Sequence, residues 1–108
     1  MSASTMSADA SLDRALHAIA DPTRRKILLA LREGKSDVRS PGKPDGESCL
    51  CAGDIEQRMK LSQPTISHHM AILIKAGLVE ASKQGQWRWY RRNEKAIRNV
   101  VKTLRGKL

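Results

Sequence analysis

The residues best suited to chemistry are two cysteines, Cys49 and Cys51, which a single leucine separates. A reducing compartment keeps such cysteines as free thiols unless they meet a metal ion or an oxidant. Because the chain contains no further cysteine, a structural disulfide framework is not expected. The pair is therefore a candidate thiol site.

A second candidate site is the outer face of a short helix. Ser62 is placed to cap this helix and Gly77 to end it. Its predicted buried stripe consists of Ile66, Met70, Leu73 and Ile74. The exposed face begins with four hydrogen-bonding side chains, none of them a carboxylate: Gln63, Thr65, Ser67 and His68. A helix fits the major groove of DNA, where such side chains reach base edges and phosphates.

A basic hairpin follows this helix directly. Residues 79–83 and 86–92 are strand-like, and Gln84-Gly85 supplies a tight turn between them. Arginine and lysine on such a hairpin neutralise phosphates and add affinity with little sequence information. Arg88 and Arg91 are the strongest candidates, with Lys83 and Arg92 behind them. We expect Trp87, Trp89 and Tyr90 to pack across the ribbon against the helices, in preference to stacking on single-stranded bases.

Four further segments have helical signals. A first helix starts near Leu12, and a second runs from an Asp21 cap, with Pro22 after it, to Gly34. A third helix covers residues 52–59, and a last helix carries an apolar stripe opposite lysine and arginine. We expect residues 1–10 to be a flexible tail, residues 11–108 to form one domain, and residues 35–48 to be an exposed loop. The fold class is then mainly α with a two-stranded β wing: a winged helix-turn-helix of about five helices.

Composition agrees with a nucleic-acid partner. The chain has 20 Lys and Arg against 11 Asp and Glu, a net charge of +9, which favours binding to a polyanion. No segment has the pattern of a membrane span or a signal peptide, so we expect a cytoplasmic protein with no membrane partner. No glycine-rich phosphate loop, no His/Glu metal pair at helical spacing and no obvious carboxylate pair is present, so we expect no enzyme activity. His68 and His69 point about 100° apart on a helix and cannot share one ion locally.

These motifs together resemble those of the arsenic-repressor (ArsR/SmtB) family of bacterial metal- and metalloid-sensing repressors. The resemblance covers about residues 12–104. The matching segments are residues 20–24 (ADPTR), residues 61–70 (LSQPTISHHM), residues 75–79 (KAGLV) and residues 85–90 (GQWRWY).

The resemblance implies a homodimer held by the first and last helices, which binds double-stranded DNA at an inverted-repeat operator and is released by an inducer. The residues allow such a dimer independently, because both terminal helices carry an apolar stripe and so small a core cannot bury both. No obligatory cofactor is implied.

In similar arsenic sensors a Cys-x-Cys pair lies where Cys49 and Cys51 stand, and such thiolates suit As(III), Sb(III) or another soft ion such as Cd(II). A remaining ligand would have to come from a partner subunit, a hydroxyl or water, because no third cysteine exists. The zinc-type site of similar proteins is not expected, since residues 93–108 contain no Asp, His or Cys. Two alternatives stay open: a thiol sensor of oxidants or persulfide, and an inducer-independent DNA-binding protein with incidental cysteines.

Overall fold

Helices account for most of the chain, and a computed structural model describes residues 3–34 and 48–108. The helices are α1 (Ala3–Ala20), α2 (Pro22–Glu33), α3 (Ala52–Met59), α4 (Gln63–Lys75) and α5 (Glu94–Lys107). The strands are β1 (Leu50–Cys51), β2 (Val79–Gln84) and β3 (Trp87–Arg92). The order of these elements confirms the predicted winged helix-turn-helix. Most of the predicted loop, residues 35–47, lies outside the described residues.

Helix α1 begins earlier than its apolar pattern indicates. It starts at Ala3 and not near Leu12, so the backbone of residues 3–10 is helical, and the flexibility of this segment stays a prediction. These residues are mostly Ala, Ser and Met, and the intrinsic helix propensity of Ala and Met needs no amphipathic pattern. Periodicity therefore located the part of the helix that packs, not its beginning.

Capping signals in the sequence match the structure at α2 and differ at α4. The Asp21 carboxylate accepts a hydrogen bond from Arg24 N at 3.0 Å, as expected for an N-cap. This bond is the main reason that the pKa of Asp21 lies below its ordinary value. Ser62 occupies the N-cap position of α4, but its hydroxyl lies 3.0 Å from the Thr65 hydroxyl and caps no backbone N–H.

The core is formed where α2, α3 and α4 meet one face of the sheet, and α1 packs on α2 and α4. Ala15 and Ala18 bring α1 close to it, and the remaining buried residues come mainly from α2, α3 and α4. Ile66, Met70 and Leu73 are buried as predicted, whereas Ile74 is 38% exposed. Helix α5 has no buried residue.

The sheet has three strands in the order β1-β3-β2, one more than expected. Strand β1 pairs antiparallel with β3, which places Leu50 opposite Tyr90 and Cys51 opposite Trp89. In the β2–β3 hairpin Gln84 pairs with Trp87, so the loop is Gly85-Gln86, one residue later than predicted. Gly85 has φ +61°, which suits the first position of a tight hairpin turn.

Candidate nucleic-acid interface and thiol site

The first turns of α4 present an exposed array of hydroxyl, amide and imidazole groups. Ser62, Gln63, Thr65, Ser67 and His68 are all exposed, as the sequence predicted. Gln63 Nε2 donates to Ser67 Oγ at 3.3 Å, and Ser62 pairs with Thr65. These bonds orient the side chains before any partner binds, and each group keeps further hydrogen-bonding capacity. The face can therefore donate to and accept from base edges or phosphate oxygens.

A buried arginine that the sequence reasoning missed holds α4 in place. Arg24 is only 7% exposed. Its Nε donates to Ala18 O at 2.7 Å and its Nη2 to His17 O at 3.1 Å, which satisfies carbonyls near the end of α1. Its Nη1 lies 3.2 Å from His69 Nδ1 on α4. His69 therefore faces the protein interior, while its neighbour His68 faces outward.

The two faces of the β2–β3 wing carry different side chains. Residues paired across β2 and β3 share a face, so Lys83, Arg88 and Tyr90 lie on one side of the sheet. Tyr90 is buried on this side in the helical core. Arg88 and Ser67 line the same shallow depression between α4 and the wing. The structure thus brings Lys83 and Arg88 to the same side of the molecule as the outer face of α4.

Arg91 and Arg92 are held by neighbouring groups. Arg91 lies on the opposite face of the sheet, where its Nη2 is 3.0 Å from Glu80 Oε2. Arg92 donates through Nε to Glu94 at 2.6 Å and through Nη1 to Leu28 O at 3.3 Å. Arg92 therefore ties the wing to α2 and α5, and Arg91 is exposed but is not grouped with Arg88.

The two cysteines lie in a small second core on that opposite face of the sheet. Cys49 is 1% and Cys51 2% exposed, and both pack with the indole of Trp89. Trp87, half-buried, stacks on Trp89 with ring centroids 6.3 Å apart. The expectation that the aromatic residues pack against the helices therefore holds for Tyr90 and is wrong for the tryptophans, which cover the thiols.

Cys51 is also the N-cap residue of α3. Its backbone N–H donates to Asp54 Oδ2 at 3.1 Å, and its thiol donates to the same oxygen at 3.2 Å. The pKa of the Cys51 thiol is raised mainly by burial, and the Asp54 carboxylate raises it further. The thiol is therefore protonated at neutral pH and is fixed at the first turn of α3.

The described residues offer no ready-made site for a hard metal ion. Within residues 3–34 and 48–108, no three His, Cys, Asp or Glu side chains are grouped so that they could hold one. None of the helices in these ranges is long and apolar enough to cross a membrane. The two thiols remain the group with the chemistry to bind a soft, thiophilic species.

Comparison with known proteins identifies the family. A family model described as a helix-turn-helix domain matches residues 19–81. The chain is 39% identical over 87 residues to an uncharacterised helix-turn-helix transcriptional regulator of Methanocaldococcus jannaschii, covering 81% of this chain and 83% of that protein. It is 32% identical over 93 residues to the arsenical resistance operon repressor of Staphylococcus aureus, covering 86% of this chain and 76% of that protein.

The fold has a solved counterpart as well. A solution structure of a homodimeric winged helix-turn-helix DNA-binding domain from Mycobacterium bovis superimposes with a TM-score of 0.71 at 22% identity, covering 96% of this chain and 84% of that one. The two sequence relatives are named as a transcriptional regulator and an operon repressor. With the exposed polar face of α4, the basic wing and the thiol pair, they establish that this chain belongs to the arsenic-repressor (ArsR/SmtB) family of winged helix-turn-helix transcriptional repressors.

Proposed function

We propose that the protein is a homodimeric repressor that binds an inverted-repeat operator and leaves it when a thiophilic inducer binds Cys49 and Cys51. The observation that carries this proposal is the position of the two buried thiols. Cys51 is the first residue before α3, and α3 packs against α4, the helix with the polar outer face. A ligand at the thiols therefore acts on the helix that supports the DNA-reading helix.

The proposed DNA contacts fall into two sets. Gln63, Thr65, Ser67 and His68, with Ser62 at the helix start, contact base edges and nearby phosphates in the major groove. Lys83 and Arg88 on the wing neutralise phosphates of the flanking backbone. Arg91 can contact DNA only after its ion pair with Glu80 breaks, so we assign Arg91 a smaller contribution to DNA affinity.

The dimer is proposed to form through α5 and the adjoining α1. Ile97 and Val100 of α5 pack on the core of the same chain, while Val101 is 54% and Leu108 101% exposed. On α1, Leu16 is 37% exposed. A helix with so much uncovered apolar surface favours burial against a second copy. Two-fold symmetry then presents two α4 helices about 34 Å apart, one turn of DNA.

The inducer proposed is As(III) or Sb(III), with another soft ion such as Cd(II) as the next choice. Thiolate ligands select such species, and the relative from Staphylococcus aureus is named as an arsenical resistance operon repressor. Binding replaces the Cys51 thiol proton, which removes the thiol hydrogen bond to Asp54 at the first turn of α3. Loss of this bond and the new bonds to sulfur shift the start of α3 and, through it, α4.

Two alternatives predict different behaviour. In a sensor of oxidants or persulfide the reactive form is the thiolate, which the raised pKa of Cys51 disfavours, and metalloid binding must displace the same thiol proton. In an inducer-independent repressor the cysteines only fill the second core, which agrees with their burial. The burial of both thiols therefore supports this second alternative.

The deciding experiment is an operator titration with and without arsenite, antimonite, Cd²⁺ and a persulfide donor. It compares wild type with Cys49→Ser and Cys51→Ser. We expect arsenite to weaken operator binding at least about tenfold, a coupling of the usual size, in wild type alone. The control is Gln63→Ala with Thr65→Ala, which should lose operator affinity while it binds arsenite normally. Equal operator affinity of wild type with and without all four ligands would refute thiol induction.

A further inference from the structure

The indole N–H of Trp89 is a buried donor with no acceptor among residues 3–34 and 48–108. Trp89 is 1% exposed, and its Nε1 has no hydrogen-bond partner in the part of the chain that the structure describes. Buried tryptophan N–H groups usually find a partner, because an unpaired donor removed from water is destabilising. A buried donor that finds no acceptor among the described residues is available to an acceptor that a bound ligand supplies.

The orphaned donor belongs to the residue that packs on the thiols. Trp89 is paired with Cys51 across β1 and β3, so both side chains lie on the same face of the sheet. Cys49 belongs to the same buried cluster. The Tyr90 side chain, next in sequence, lies on the other face in the helical core. The indole N–H and both thiols thus lie in the same buried cluster on one face of the sheet.

The chemistry of a trivalent metalloid at two thiols leaves one oxygen. When As(OH)₃ reacts with two thiols, two As–S bonds form and two As–O bonds break. Each leaving hydroxide takes a thiol proton, so two waters are released and arsenic stays As(III). Where the two cysteines of one chain are the only protein ligands, the third ligand remains a hydroxyl. That hydroxyl oxygen is a hydrogen-bond acceptor.

We propose that the indole N–H of Trp89 donates to the hydroxyl that As(III) or Sb(III) retains when Cys49 and Cys51 hold it. This inference rests on the proposed inducer site and assigns that site a ligand class. Trp89 makes the site favour a hydroxyl-bearing metalloid over thiophilic ligands that carry no oxygen. An arsenical whose third substituent is carbon lacks this hydroxyl.

The test uses two ligands of nearly equal size. Methylarsonous acid, CH₃As(OH)₂, loses both hydroxyls to the two thiols and keeps a methyl group where arsenite keeps its hydroxyl. Trp89→Phe retains an aromatic ring and removes the N–H. Trp87→Phe is the matched control, because it changes the stacked neighbour and keeps Trp89. Binding of both arsenicals is measured by near-ultraviolet As–S absorbance in the purified protein, beside operator release.

We expect Trp89→Phe to weaken arsenite binding about tenfold, the factor that one buried hydrogen bond supplies. Methylarsonous acid should bind this variant within about twofold of wild type, and Trp87→Phe should leave the affinity ratio of the two ligands unchanged. Equal losses for both ligands would mean that Trp89 only packs, and an undiminished arsenite affinity would also overturn the inference. If wild type itself binds neither arsenical, the proposed inducer site fails instead. Normal binding of methylarsonous acid by Trp89→Phe also verifies that this variant is folded.

Discussion

Replacing Arg24 by methionine should destabilise the protein far more than the same change at its neighbour Arg25. Both arginines donate to carbonyl oxygens at the end of α1. Arg25 Nη1 contacts Ile19 O at 2.7 Å and Ala20 O at 3.1 Å from an exposed position. Arg24 makes its contacts from the interior, at 7% exposure. Comparison of the two substitutions therefore separates the effect of burying the guanidinium from the effect of its hydrogen bonds to carbonyl groups.

The magnitude follows from the contacts of the Arg24 guanidinium. It donates to Ala18 O and His17 O and meets His69 Nδ1. Hydrogen bonds to a charged group contribute about 1.5–3 kcal/mol each, and methionine fills most of the space but bonds none of the three acceptors. Water can reach some of these acceptors, so the expected loss is about 2–4 kcal/mol of the free energy of unfolding. Arg25→Met should cost about 0.5 kcal/mol or less, as surface changes do.

The assay is urea denaturation followed by circular dichroism, with all variants at one protein concentration because dimerisation adds to apparent stability. Arg24→Lys should fall between wild type and Arg24→Met, since an ammonium cannot reach all three acceptors. Equal free energies of unfolding for Arg24→Met and Arg25→Met would show that the buried guanidinium does not join α1 to α4. The reasoning about its contacts would then be refuted.

Further predictions concern DNA, pH, the helix-turn-helix turn and the dimer. Arg88→Ala should weaken binding to all DNA sequences and lower the magnitude of the slope of log K against log salt concentration by about 1. Arg91→Ala should change that slope less, because Arg91 lies on the other face of the wing and is paired with Glu80. Because the pKa of Asp21 is lowered in the folded state, its negative charge stabilises the protein above the unfolded pKa, and this contribution is lost as the pH falls through the folded pKa. The difference in free energy of unfolding between wild type and Asp21→Asn should therefore become smaller from pH 6 to pH 3 in urea titrations. Lys60 has φ 55°, a left-handed conformation that is strained for a residue with a side chain. Lys60→Gly should therefore raise the free energy of unfolding by about 0.5–1 kcal/mol, and a lower free energy of unfolding would contradict this strain. Val101→Glu should weaken self-association by about tenfold or more in sedimentation, and an unchanged dimer would exclude α5 as its interface.

Much of the architecture could be read from local signals. Asp21 before Pro22 marks a helix start, Gly85 marks a hairpin turn, and apolar residues three and four apart identify the packed faces of four helices. These signals work because capping, turn conformation and amphipathicity depend on residues within a few positions of one another. The polar face of α4 was predictable for the same reason, since the buried stripe of a helix determines the exposed side.

The sequence by itself determined the order of the elements, the polar face of α4 and the presence of a thiol pair, because each depends on neighbours along the chain. Only the tertiary structure decided that Arg24 is buried, that Arg88 and Arg91 lie on opposite faces of the wing, and that Trp89 packs on the thiols. Each of these depends on strand register or on helix contacts between residues far apart in sequence, and a one-residue change of register would exchange the faces of the wing.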